Sequence, residues 1–270
     1  MKYRVTFLTL LFLGIATLLS AHDLFLRMDS YFLPGRTAVT VPVLNGTFSS
    51  SEASVAPDRL IDLSLVTPDG RRRLPTDVWS IRNDSSFISV RTGRPGTYVM
   101  GVSTRFRVLA LPADAFNSYL EHEGLGDVLA ARRQRGEMER DVAEQYAKHI
   151  KAVFQVGDER TDGFSTALGY PAEIIPMVNP YALGSGDTLA VRCVVDGQPV
   201  ADQVVILGGE DQDGPLVERS ARTDRNGIAR FVVARTAQWY VKFIHMERAP
   251  SNLDDFDYAS KWATLTFETR

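Results

Sequence analysis

"PGRTAVTVPVLNG" (34–46) and "SGDTLAVRCVVDG" (185–197) are one phrase written twice. Each opens on a small residue, a glycine and, two positions on, a threonine. Each then runs through β-branched residues and closes on Asn-Gly or Asp-Gly, the dipeptides of tight hairpin turns. A second pair follows: "PGTYVMGVST" (95–104) parallels "AQWYVKFIHM" (237–246). Both halves of the chain therefore open on the same strand-and-turn and close on an aromatic strand. This predicts two similar β-sandwiches, with the two opening phrases as equivalent strands. A duplication, or the same hairpin chemistry reached twice, would each leave this mark.

Around these phrases the chain reads as mainly β. Short Val-, Ile- and Thr-rich runs are separated by turn signals such as "PDG" (68–70) and "RNG" (225–227), the spacing of sandwich strands. Between the halves "ADAFNSYLEHEG" (113–124) reads as a helix stopped by Gly124. In "EMERDVAEQYAKHIKAVFQ" Val142, Tyr146, Ile150 and Val153 fall on one helical stripe. The expected organisation is a leader over 1–21, a sandwich over 22–111 and a helical insert over 112–155. A tethered, proline-containing linker over 156–183 and a second sandwich over 184–270 complete it.

The first 21 residues carry Lys2 and Arg4, no acid, and an apolar run from Val5 to Leu19. That run is short of the ~20 residues a membrane span needs, and "LSA" ends it with small residues. A secretory signal peptide cut after Ala21 fits this pattern, leaving a periplasmic or secreted chain with no span. The formal net charge is −3, which gives no basic footprint for nucleic acid. Cys193 is the only cysteine, so no internal disulfide can form, and its place inside "LAVRCVV" reads as a small buried hydrophobe.

The motifs GxSxG, HExxH and CxxC and a phosphate-binding glycine loop are absent, so no enzyme class is indicated. The four histidines remain. Cleavage after Ala21 makes His22 the first residue, and its α-amine and ring Nδ1 then form one chelate for copper, nickel, cobalt or zinc. Asp23 follows with a carboxylate. His245 shares a strand face with Trp239, Val241 and Phe243 and precedes a loop holding Asp254, Asp255 and Asp257. His122 and His149 read as structural.

Several phrases together resemble one family: "AHDLFLR", "YLEHEGLGDVLAARR", "YAKHIKAVFQVGD", "LGYPAEIIPMVNPYAL" and "WYVKFIHME…DYASKWATLTFE". The mature chain is similar throughout to the DUF4198 family of exported bacterial proteins, often labelled as periplasmic components of nickel or cobalt uptake. The resemblance implies an immunoglobulin- or transthyretin-like C-terminal sandwich, no catalytic residues, and His22 and His245 on the family pattern. A departure is Ala259, where that pattern has Glu.

The expectation is thus a non-enzymatic protein that binds a divalent transition metal (nickel, cobalt or copper) through His22 and His245, with Asp23 and Asp257 as further donors, and assists a membrane metal transporter. The competing expectation is a metal-free extracellular module for a protein or carbohydrate ligand.

Overall fold

The computed structural model describes residues 22–233, 236–250 and 255–270. The expected leader and Asp254 lie outside these residues. In chain order the strands are β1 (Asp23–Leu26), β2 (Phe32–Leu33), β3 (Ala38–Gly46), β4 (Leu60–Thr67), β5 (Gly70–Arg73), β6 (Trp79–Arg82), β7 (Ser85–Arg91), β8 (Gly96–Thr104) and β9 (Arg107–Leu111). Helices α1 (Ala113–His122) and α2 (Gly126–Gln134) precede a long strand, β10 (Val142–Val156). Then come β11 (Ala172–Pro176), β12 (Asp187–Val195), β13 (Gln198–Pro199), β14 (Val204–Asp211), β15 (Gly214–Pro215), β16 (Arg219–Arg222), β17 (Ile228–Val233), β18 (Ala237–Arg248) and β19 (Tyr258–Thr269).

The connectivity is that of two immunoglobulin-like sandwiches. In the first, β1-β3-β7-β6 form a cover sheet, while β5, β4, β8 and β10 form its partner. In the second, β11, β12 and β17 form the cover, while β15, β14, β18 and β19 form the partner. The repeated opening phrases become β3 and β12, each the middle strand of a cover sheet. The second pair become β8 and β18, each flanked by the last strand of its own sandwich. Asp196 and Gly197 (φ 49° and 78°) turn β12 into β13, as the Asp-Gly signal requires.

The two partner sheets are fused. β10 pairs with β19 in parallel, Glu144 opposite Tyr258 through Ala152 opposite Thr266, giving one sheet of eleven strands. The two cover sheets lie on its opposite faces. On one, Thr264 and Thr266 of β19 donate to the carbonyls of Leu24 and Leu26 in β1. On the other, Lys151 of β10, paired across from Leu265, reaches Glu173 of β11.

Residues 142–156 are a strand, which corrects the helical insert expected over 112–155: only 113–122 and 126–134 are α-helical. The stripe Val142, Tyr146, Ile150 steps by four, a spacing that also keeps residues on one face of a strand. Both faces of β10 are covered, so polar and apolar residues do not alternate cleanly. The expected linker is also revised: β11 lies inside it and pairs with β12 from Ala172 opposite Val195 to Pro176 opposite Val191. Cys193 is a free, fully buried thiol in β12, and burial pushes its pKa up.

Helix α1 lies over β18 and β19. Phe116, Tyr119 and Leu120, spaced three and four apart, turn one apolar face inward. There they meet Ile244, Met246, Tyr258 and Trp262, and the Tyr119 and Trp262 rings stack 5.7 Å apart. Burying Phe116 and Leu120 completely contributes about 2 kcal/mol each. Gly124 (φ 71°) turns the chain out of this helix.

Candidate functional site

β1 is held against β3, Asp23 opposite Gly46 and Leu26 opposite Val43, and rests on β19 through the two threonine bonds. This fixes His22 and Asp23 beside the junction of the sandwiches. The His22 carbonyl accepts a hydrogen bond from the Lys148 ammonium, which also donates to Asn45 Oδ1 at 3.2 Å. The same ammonium lies 5.3 Å from the Trp262 ring centroid and 5.6 Å from that of Tyr146. Burial, with the Arg59 charge adding to it, pulls the Lys148 pKa down to about 8, against Asp23, Glu144 and Glu123.

The His22 ring has Glu52 Oε2 2.7 Å from its Nε2. That carboxylate sits off the N–H direction, so the contact is electrostatic and Nε2 makes no hydrogen bond of good geometry. A carboxylate beside Nε2 favours the proton there and leaves the lone pair on Nδ1.

Asp23 Oδ2 accepts from Lys242 Nζ at 2.6 Å, and Lys242 also donates to Glu123 Oε2 at 2.8 Å, just beyond the end of α1. Burial opposes the Lys242 charge, but the two carboxylates together outweigh it and raise its pKa. Glu123 has a raised pKa, from burial first and the Asp23 charge second. Asp23 Oδ1 is buried without a hydrogen-bond partner. Glu144 completes the cluster, taking hydrogen bonds from Ser260 Oγ and, at 3.2 Å, from the Tyr119 hydroxyl. Its pKa is raised by burial, against these hydrogen bonds.

His245 does not join His22 and Asp23. Lys242 faces Asp23, and strand alternation turns His245, three residues on, to the opposite face. There it contacts Gln203 Oε1 at 3.1 Å and Glu247 at 3.4 Å, across from Lys261. Asp257 is engaged elsewhere, with Arg140 at 2.5 Å and the Ala143 amide at 3.0 Å. Ala259, the departure from the family pattern, lies opposite Glu247. The structure thus separates the four expected metal donors into three places, and among the described residues no group of three or more His, Cys, Asp or Glu side chains is arranged to hold an ion.

The other two histidines are local. His122 Nδ1 lies 2.7 Å from the Ser118 carbonyl at the end of α1. His149 Nδ1 lies 2.9 Å from Ser103 Oγ. Although serine and histidine meet there as a nucleophile and base would, both are 2% exposed, out of reach of a substrate. Sequence reading missed Lys148, Lys242 and Glu123. For the two lysines the one signal was a cation inside a strand-like run, as in "VKF" and "YAKHIK"; Glu123 carried none.

The chain belongs to the DUF4198 family, whose model, described as a domain of unknown function, matches residues 19–247. No curated protein matches it. Among solved structures it is similar to the D0-D1 domain of intimin (13% identity, 91% of this chain and 97% of that one, TM-score 0.23). It is also similar to a two-domain fibronectin type III segment from chicken tenascin (11%, 92% and 98%, TM-score 0.23). A third similarity is to alpha-2-macroglobulin from Escherichia coli (11%, 92% and 16%, TM-score 0.25). At these scores the fold assignment rests on the strand connectivity alone. Among the described residues no helix is long and apolar enough to cross a membrane.

Proposed function

We propose that the protein is exported, is cut after Ala21, and binds a divalent transition metal (nickel, cobalt or copper) through the freed amine and ring of His22, for transfer to a membrane transporter. The observation that supports this most is Glu52 beside Nε2. Metal-binding histidines commonly have a carboxylate at the second ring nitrogen. Here Glu52 lies off the N–H direction, so it acts by charge alone, favouring the proton on Nε2 and leaving the other nitrogen for the ion. For His22 that other nitrogen is Nδ1, the one able to close a chelate ring with the amine. Asp23 Oδ1, without a hydrogen-bond partner, is a candidate oxygen donor. A chelate with so few donors from one chain keeps coordination positions open for a receiving protein.

Calorimetry with Ni(II), Co(II) and Cu(II) on protein beginning at His22 tests the reading. One extra residue ahead of His22 is expected to weaken binding nearly as much as His22→Ala, because either change destroys the chelate ring. Glu52→Gln is expected to weaken it about tenfold, as loss of an outer carboxylate does. Affinity falls as the pH drops toward 5, since protons compete for amine and imidazole. His245→Ala and Asp257→Asn leave it unchanged. Equal affinity of the extended and native forms would remove the metal assignment and favour a metal-free binding module.

A further inference from the structure

A cleft of about 190 Å³ opens next to Lys148. Its polar lining comes chiefly from Asn45, Arg59, Thr104, Arg107, Tyr146 and Lys148, with Leu24 and Val55 among its apolar walls. Every charged residue in that lining is a cation. Such a grouping of like charges is costly unless something offsets it.

The donors are only partly used. Arg59 gives Nη2 to the Arg105 carbonyl at 3.1 Å, while its Nε is buried with no hydrogen-bond partner. A buried guanidinium N–H without an acceptor is uncommon, because leaving it unmade forfeits its hydration. Lys148 is 9% exposed, with its ammonium fixed by His22 and Asn45. Arg107 is exposed, and its position in β9 is set by the pairing of Arg107 with Tyr146 on β10. Two arginines and a buried lysine converging on a small cleft, with an aromatic ring at one wall, form a receptor for a compact oxyanion: guanidinium groups match the oxygens of carboxylate and phosphate, and the apolar wall admits a short carbon skeleton.

We infer that this cleft is a binding site for a small organic anion, held by its carboxylate or phosphate group between Arg59, Arg107 and Lys148. The site does not require the metal, and its ligand adds the negative charge that the lining lacks.

The test is calorimetry and thermal unfolding of the mature protein, stripped of metal on an immobilised chelating resin that is then removed, at low ionic strength with citrate, benzoate and inorganic phosphate as probes. Sodium chloride at matched ionic strength is the control. The expected result is saturable one-to-one binding of at least one probe. A carboxylate or a phosphate source is told apart by whether citrate and benzoate or phosphate binds more tightly. Arg107→Gln, on an exposed side chain, is expected to weaken binding about tenfold without lowering the midpoint of the free protein. Arg59→Gln is expected to weaken it at least as much. Arg72→Gln, which removes an exposed charge on β5, leaves it unchanged. The inference is overturned if no probe saturates, if chloride gives the same thermal shift, or if Arg107→Gln and Arg72→Gln have equal effects. Since metal is absent throughout, any of these failures leaves the His22 chelate untouched.

Discussion

Replacing Lys151 by methionine is expected to destabilise the protein by about 3–5 kcal/mol, the usual cost of removing one partner from a buried ion pair. Lys151 and Glu173 are each 1% exposed, with Nζ and Oε1 2.8 Å apart. The carboxylate also accepts from the amides of Leu168 at 2.6 Å and Gly169 at 3.1 Å, and the ammonium donates to the Thr166 carbonyl at 3.2 Å. Without the lysine, a charged carboxylate is left between a strand of the central sheet and the second cover sheet, where water cannot reach it. Burial pulls the Lys151 pKa down while Glu173 holds it up, so Glu173→Gln alone should leave a lysine that sheds its proton. The double variant Lys151→Met/Glu173→Gln keeps an acceptor for one of the two amides and buries no charge. It is expected to recover at least half of the loss. Urea unfolding measures all three; a cost below about 1 kcal/mol for Lys151→Met would refute the account, since it is what an exposed pair gives.

The second large effect is in pH. Burial, with a smaller contribution from Lys261 and against Asp196, pulls the His149 pKa down from 6.5 to about 4. The unfolded chain takes up a proton there near pH 6.5, whereas the folded chain resists until about pH 4. In that window the unfolded state binds more protons, so stability rises with pH and is lost as the pH falls. The full contribution is about 3 kcal/mol, present above pH 6.5 and gone below pH 4. Asp62 and Glu137, with lowered pKa values, act in the same sense. Glu123 and Glu144, with raised ones, act in the opposite sense. The informative quantity is therefore the difference between the native protein and His149→Gln. That difference is expected to shrink by about 2–3 kcal/mol between pH 7 and 4.5. Parallel stability curves would rule out a neutral buried imidazole.

How much could be read beforehand depended on the range of the signal. The β-branched runs found β3 and β12 and the aromatic runs found β8 and β18, because alternation is written in neighbouring residues. Of the two turn signals Asp196-Gly197 makes its turn, whereas Asn45 and Gly46 lie inside β3 without positive φ and the chain turns just after them, Thr47 bonding Ser50. β10 misled because Val142, Tyr146 and Ile150 satisfy both periods. Its parallel partner β19 follows more than a hundred residues later, and nothing local announces that pairing. The same limit governs the site. His22 stood out through its position after the leader, and Asp23 through adjacency. Lys148, Lys242 and Glu123 come from three separated elements, and only the folded sheet brings them toward the first residues of β1. His245 illustrates the converse: its strand face was legible from Trp239, Val241 and Phe243, but which cover sheet that face meets was not.

The two threonine hydroxyls that hold β1 to β19 join positions 240 residues apart. At common rates of protein synthesis that separation takes on the order of tens of seconds to make. β1 can zip onto β3 early, since that loop is short. Its underside is covered only in part, by β10, until the final strand arrives, and the N-terminal half must spend that interval as an unfinished surface. A newly made chain would therefore be a client for holding factors throughout its emergence. Loss of the last dozen residues would damage the oldest part of the molecule as severely as the newest.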